Sequence, residues 1–252
     1  MCWGRGVSSV GGMTSSRTAA SAPVTPAAAG DRSRYATLAR ITGAAGLVTL
    51  LAVVGTSIAN GYQNQSMTEG TPAIVAFFRS IDDRTGWLTS YATSAGLVAC
   101  LWFAIGLALM LRPYERGVPW RAPFLAAAGV VSVVSGQIAS WDAAAFRSAT
   151  IDPRVATYAY DLGNLSFANS WVSTGAVGIC AGLIMLRAPG VPRWIAYWGL
   201  VAGIGEVLAR AWLRHGFAYA PFALYWAWVL ALSVLLLAGR FTSSAAPKEI
   251  LP

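Results

Sequence analysis

Few side chains in this chain can do chemistry, and most of those lie inside apolar runs. Glu206 is the deepest acid, embedded in an otherwise apolar stretch, with Arg210 one helical turn later on the same face. An ionisable group inside a membrane is costly and is a functional hypothesis by default. An acid and an arginine at i, i+4 also satisfy each other, so a structural ion pair is the preferred reading of these two. Asp142 and Asp161 fall at similar or shallower depth, and Asn164, Asn169 and Gln137 lie in the neighbouring apolar runs. With Arg147, Arg214 and the single histidine, His215, they outline one outward-opening polar pocket. The chemistry open to such a pocket is binding of a lipid or small molecule, or proton donation by a desolvated acid such as Glu206 or Asp161. A cation one turn from Glu206 works against the donor role.

Other chemistries find no residues. There is no Walker loop, no dinucleotide-binding glycine pattern, no Ser-His-Asp set and no two-histidine helix motif. No lysine lies in an apolar run, which excludes a retinal Schiff base, and there is neither an arginine ladder nor a selectivity-filter sequence. Of three cysteines, Cys100 and Cys180 lie in apolar runs and read as small hydrophobes, so no metal site, haem or other cofactor is expected.

The elements that must position these groups follow from composition. The chain has 252 residues, 56% hydrophobic and 11% charged, with a mean hydropathy of +0.56. A soluble domain carries about a quarter charged residues, so most of this surface faces lipid. Six apolar runs follow one another: Ile41 to Ala59, Trp87 to Leu111, Ala122 to Trp141, Leu162 to Leu186, Trp194 to about Leu213, and Phe217 to Gly239. Each is long enough to cross a hydrocarbon core of about 30 Å as a helix. The expected fold is therefore all-α: a polytopic membrane protein with six transmembrane helices in a bundle over residues 39–240. Residues 1–38 read as a disordered cytoplasmic tail in which Met1 or Met13 is the start, and residues 241–252 as a short second tail.

Charge assigns the sides. Twelve of the eighteen Lys and Arg residues fall in the two tails and in the connections holding Arg112 to Arg121 and Arg187 to Arg193; six fall on the other side. The positive excess marks the cytoplasm, so both termini are expected inside a plasma membrane. The net charge of +8 then reflects contact with anionic lipid and not nucleic acid. Trp120 and Trp194 on one side, and Trp87, Trp141 and Trp212 on the other, are expected as interfacial belts.

The one long outer connection, residues 60–86, carries a helix signal with Thr71 as N-cap, Pro72 as first residue and Ile74, Val75, Phe77, Phe78 and Ile81 at helical spacing. A membrane-lying connector is preferred for it over a lid that caps a pocket. The fourth run holds Asn164, Ser166, Asn169, Ser170 and Ser173 and must face the bundle interior. Thr42, Thr49, Thr56 and Asn60 form a second polar stripe, while Gly199, Gly203 and Gly205 suit close helix packing. Trp102, Trp171, Trp226 and Trp228 lie near mid-span, suited to filling the core or to stacking on a lipid or isoprenoid. The turns Leu109-Met-Leu-Arg112 to Arg121 and Ile184-Met-Leu-Arg187 to Trp194 resemble each other, which tight-turn chemistry explains without a duplication.

The segments Asp83-Arg-Thr-Gly-Trp-Leu-Thr-Ser-Tyr91, Leu101-Trp-Phe-Ala-Ile-Gly-Leu-Ala-Leu-Met-Leu-Arg112, Val191-Pro-Arg-Trp-Ile-Ala-Tyr-Trp-Gly-Leu200 and Leu235-Leu-Leu-Ala-Gly-Arg240 carry a likeness over residues 38–240. The chain resembles a group of small six-helix actinobacterial membrane proteins catalogued as a domain of unknown function. That resemblance implies the same topology and an actinobacterial plasma membrane, and it transfers no residue roles. The expected function is non-enzymatic: a lipid-binding or small-molecule-binding subunit or transporter-like module, with membrane lipids, another membrane protein or a second copy as partners. The alternative is a membrane enzyme acting on a lipid or isoprenoid substrate by acid catalysis.

Overall fold

Apolar runs that cannot leave backbone groups unpaired in lipid must close their hydrogen bonds within each segment, and the chain does so as helices. A computed structural model describes residues 26–59, 70–136, 139–212 and 219–240, without the side chains of residues 26–32 and Ser57. Its helices are α1 (Pro26–Ala59), α2 (Thr71–Ser80), α3 (Asp83–Leu111), α4 (Arg121–Ser135), α5 (Ala139–Phe146), α6 (Pro153–Met185), α7 (Arg193–Ala209) and α8 (Tyr219–Leu237). No strand occurs among the described residues.

Five segments are long and apolar enough to cross a membrane: Ser33–Thr56, Asp83–Tyr114, Arg121–Phe146, Pro153–Met185 and Tyr219–Leu237. The fifth expected span, α7, has 17 residues and falls short of that length. The third expected span contains two helices, α4 ending at Ser135 with Gly136 as its cap and α5 starting at Ala139. The helix α1 begins at Pro26, inside the stretch expected to be a disordered tail. Further along the helix, still before the first expected span, Tyr35 donates its hydroxyl to the Met110 carbonyl at 2.8 Å, and Ala39 is fully buried.

The long helices form a closed ring in which α1 packs on α3, α3 on α4, α4 on α6, α6 on α7, α7 on α8, and α8 back on α1. Within it α6 is the most enclosed, and its small residues explain why. A Cβ on Gly175 would lie 2.6 Å from the Gly203 carbonyl oxygen, and one on Gly178 would lie 2.9 Å from that of Gly199. Glycine therefore lets the α6 and α7 backbones touch, as small residues do when lipid offers helices no hydrophobic drive to associate. Gly199 and Gly203 play the packing role expected of them against α6, and Gly205 plays it against α8, where a Cβ would lie 3.1 Å from Pro221.

Local chemistry sets where the helices start. Asp152 accepts from the backbone N–H groups of Arg154 at 2.8 Å and Val155 at 3.4 Å, with Pro153 in the first turn of α6. Asp82 does the same for α3 through Thr85 N–H at 3.0 Å. The two resembling turns share a left-handed glycine before Val-Pro, Gly117 at φ 76° and Gly190 at φ 80°, a backbone state that favours glycine. In the first of them the Glu115 carboxylate accepts from Arg121 N–H and Ala122 N–H at 2.9 and 2.8 Å and caps α4. Arg121 and Glu115 also form the ion pair found among the described residues, at 3.9 Å.

Candidate functional site

Within the ring lies a half-open cavity of about 280 Å³, in the half of the bundle away from the Arg112 and Arg187 turns. Its walls come from α1, α3, α4, α6 and α8, and its end wall from α2 and α5. Two kinds of side chain line it. Thr49, Thr56, Thr93, Ser132, Ser170 and Thr174 supply hydroxyls, and Asn164 supplies an amide. Aromatic rings of Phe77, Trp141, Phe167, Trp171, Phe222 and Trp226 supply most of the rest, with Cys100 on the α3 wall.

The end wall depends on α2. Gly70, not the expected Thr71, is its N-cap, and Pro72 lies in the first turn. The faces of Ile74, Val75, Phe77 and Phe78 are buried in a cluster with Ala144 of α5 and Ala156, Ala159 and Tyr160 of α6. An amphipathic helix buries its apolar face against whatever apolar surface it reaches first, and here that surface is protein. The expectation of a membrane-lying connector therefore gives way to a cap on the bundle, with Phe77 in the cavity wall. Trp141, expected at the membrane interface, also turns inward: it stacks on Tyr160 at 5.4 Å and donates its indole N–H to the Tyr160 carbonyl at 3.3 Å. By contrast, Trp87, Trp120, Trp194 and Trp212 stay exposed.

Glu206 lies behind this cavity. It is fully buried, and its carboxylate accepts from the hydroxyl of Thr174, which lines the cavity. The glycine contacts of α6 and α7 bring these residues together, since Thr174 adjoins Gly175 and Glu206 lies one turn after Gly203. Its other oxygen, Oε1, finds no hydrogen-bond partner among the described residues. The expected pairing with Arg210 is absent: Arg210 donates its Nε to the Asn169 side-chain oxygen at 2.9 Å on the exposed face of the bundle. The backbone register is kept, since the Arg210 N–H still donates to the Glu206 carbonyl at the end of α7, but the two side chains take different partners.

The remaining expected pocket residues separate. Asn164 lines the cavity and donates to the Tyr160 carbonyl at 3.0 Å. Asn169 faces outward with Arg210, and Asp142 accepts from Ser90 at 2.7 Å between α5 and α3. Asp161 is half-buried and is not a lining residue. Gln137, His215 and Asn60 lie outside the described residues. Sequence reading missed Thr174, Cys100, Tyr160 and Phe222 as wall residues. Thr174 had a usable signal, since it falls four residues after Ser170 on the polar face of α6. The described residues contain no group of three or more His, Cys, Asp or Glu side chains placed to hold a metal ion.

Compared with known proteins, residues 44–241 match the family described as Domain of unknown function (DUF4386). No curated protein and no solved structure matches the chain.

Proposed function

Because the chain belongs to the DUF4386 family across most of its length, a family with no activity attached to its description, function rests on the site itself. We propose that it is an integral plasma-membrane protein that crosses the bilayer six times with both termini in the cytoplasm and holds an apolar small molecule or lipid in its ring cavity. The observation that carries the binding role is the cavity's lining, an aromatic wall interrupted by hydroxyls and one amide, the composition typical of pockets that take an apolar body and orient it by a few polar groups. The crossing beyond the five long apolar segments, fifth in chain order, is α7 together with the Arg210–Trp212 turn, which extends to about 31 Å at helical and 3-10 rises. The orientation rests on the positive excess at the end where Arg112, Arg121, Arg187 and Arg193 lie. With that orientation the cavity lies in the outer half, suited to a lipid-binding subunit or transporter-like module.

The test is recovery of the bound molecule. Protein purified from native membranes and extracted for mass spectrometry is expected to yield a stoichiometric apolar compound. Thr93→Trp, which fills the cavity from α3, should release it while leaving a monodisperse protein. Equal recovery from the variant would overturn the cavity as the binding site.

A second reading gains from one observation. Glu206 lacks the neutralising arginine expected beside it and connects to the cavity wall through Thr174, which suits an acid that protonates an apolar substrate. Glu206→Gln keeps the Thr174 hydrogen bond and removes the acid. Product formation lost with folding and ligand retained would favour the enzyme; no change in either would end it. Asp161→Asn serves as the control from the half-buried acid outside the cavity.

A further inference from the structure

A second concavity lies on the outside of the bundle, apart from the ring cavity. There α5 and the start of α6 stand antiparallel, fixed by the Ser140 hydroxyl, which donates to the Ala159 carbonyl at 3.0 Å. Small side chains, Ala143 and Ala144 of α5 and Ala159 of α6, leave a shallow open groove of about 440 Å³ between the two helices. Val155, Tyr158 and Leu162 border it and are all exposed. Along α6 its lining runs from Val155 to Leu162, about 11 Å at helical rise. That length fits within the ~15 Å that half a hydrocarbon core gives to one acyl chain.

The polar end of the groove is the turn that joins the two helices. Arg147 and Thr150 line it there, and both are exposed, so their polar atoms are within reach of a bound molecule. Arg147 has no ion-pair partner among the described residues. The acids on either side of the turn are engaged elsewhere: Asp142 accepts from Ser90 of α3, and Asp152 caps α6. A guanidinium presents its donors in a planar fork that matches two phosphate oxygens at once. Phe146, next to Arg147, packs on the exposed Trp87 with ring centroids 4.5 Å apart, and tryptophan suits the headgroup level of a bilayer. An uncompensated cation thus tops an apolar trough of one leaflet's depth. A second copy packed face to face would bring two Arg147 side chains together instead, because a two-fold interface presents the same patch twice. Resting on the membrane placement proposed above, we propose that the α5–α6 groove binds one outer-leaflet phospholipid, its phosphate on Arg147 and one acyl chain along α6.

Native mass spectrometry of the full chain in mixed micelles reads the lipid that stays bound, with the thermal midpoint as a check on folding. Two probes share their acyl chains: dioleoyl phosphatidylglycerol, and dioleoylglycerol, which lacks the phosphate. The chain is expected to prefer the phosphatidylglycerol. Arg147→Gln should lower that affinity about three- to tenfold and leave dioleoylglycerol unchanged. Arg154→Gln, which removes a neighbouring exposed cation that does not line the groove, should leave both unchanged. Ala143→Phe, which fills the groove, should weaken both. Inorganic phosphate should not compete, since it has no chain to seat; competition would overturn the lipid in favour of a small anion. Equal phosphatidylglycerol affinity with and without Arg147, or an equal loss in Arg154→Gln, overturns the headgroup site. A lipid-free dimer that Ala143→Phe dissociates overturns it in favour of a second copy. Release of the native chain from membranes by alkaline carbonate would instead overturn the membrane placement on which it rests.

Discussion

Glu206 shows how a partner is chosen in a membrane. Spacing on one helix brings Arg210 near it in sequence, yet the acid turns to Thr174 on α6 and the arginine to Asn169 on the outer face. A long guanidinium can reach polar surroundings, whereas a short carboxylate takes the nearest donor inside the bundle. With separate partners, the two residues act independently. Arg210→Gln and Glu206→Gln should be additive in a double-mutant cycle of thermal unfolding, within about 0.5 kcal/mol. Arg210→Gln and Asn169→Ala should instead couple, because each removes the same hydrogen bond. A Glu206–Arg210 coupling above about 1 kcal/mol would mean that the pair forms after all.

Among the elements, α2 ties the cavity's end wall to the bundle through its aromatic face. Phe78 is 1% exposed and touches Phe77, Trp141 and Tyr160 at centroid distances of 5.4 to 6.2 Å. Phe78→Ala should cost about 3–5 kcal/mol in the packing of α2, seen as faster hydrogen exchange and proteolysis at residues 71–80 while the long helices keep their protection. Loss of protection throughout would show that α2 belongs to the cooperative core. The corner from α2 into α3 carries its own pH dependence. Hydrogen bonds from the Thr85 hydroxyl and backbone N–H hold the exposed Asp82 carboxyl below its ordinary value of 3.8. A group lowered on folding contributes stability that is present above that ordinary value and is lost as pH falls through the folded one. The Thr85 amide should therefore exchange faster as the solution is taken below about pH 3.8, after correction for intrinsic exchange. Asp82→Asn, which still caps but does not titrate, should flatten that response.

For the whole molecule, ring closure of α8 onto α1 has a topological consequence. Helices that alternate around a ring, with Tyr35 of α1 bonded beside the end of α3, place the start of α1 and the end of α8 at one end of the bundle. Fluorescent-protein fusions at residue 240 should light in the cytoplasm, and alkaline phosphatase fused in the residue 70–80 region should be active outside. A dark carboxy-terminal fusion would mean that α7 does not cross.

Much of this was legible in one dimension. Length and hydropathy of the runs set the helical membrane class, because lipid gives the backbone no other way to satisfy its hydrogen bonds. The polar face of α6 announced an interior helix, and the spacing of Ile74, Phe77 and Phe78 announced α2. Tertiary structure alone decided who meets whom. Periodicity places a residue on a face of its own helix, but the rotation of that helix and the neighbour it touches come from packing, here from glycines that let α6 and α7 approach to backbone contact. That approach gave Glu206 to Thr174, and a separate small residue of α6, Gly163, leaves the space that the inward-turned Trp141 fills.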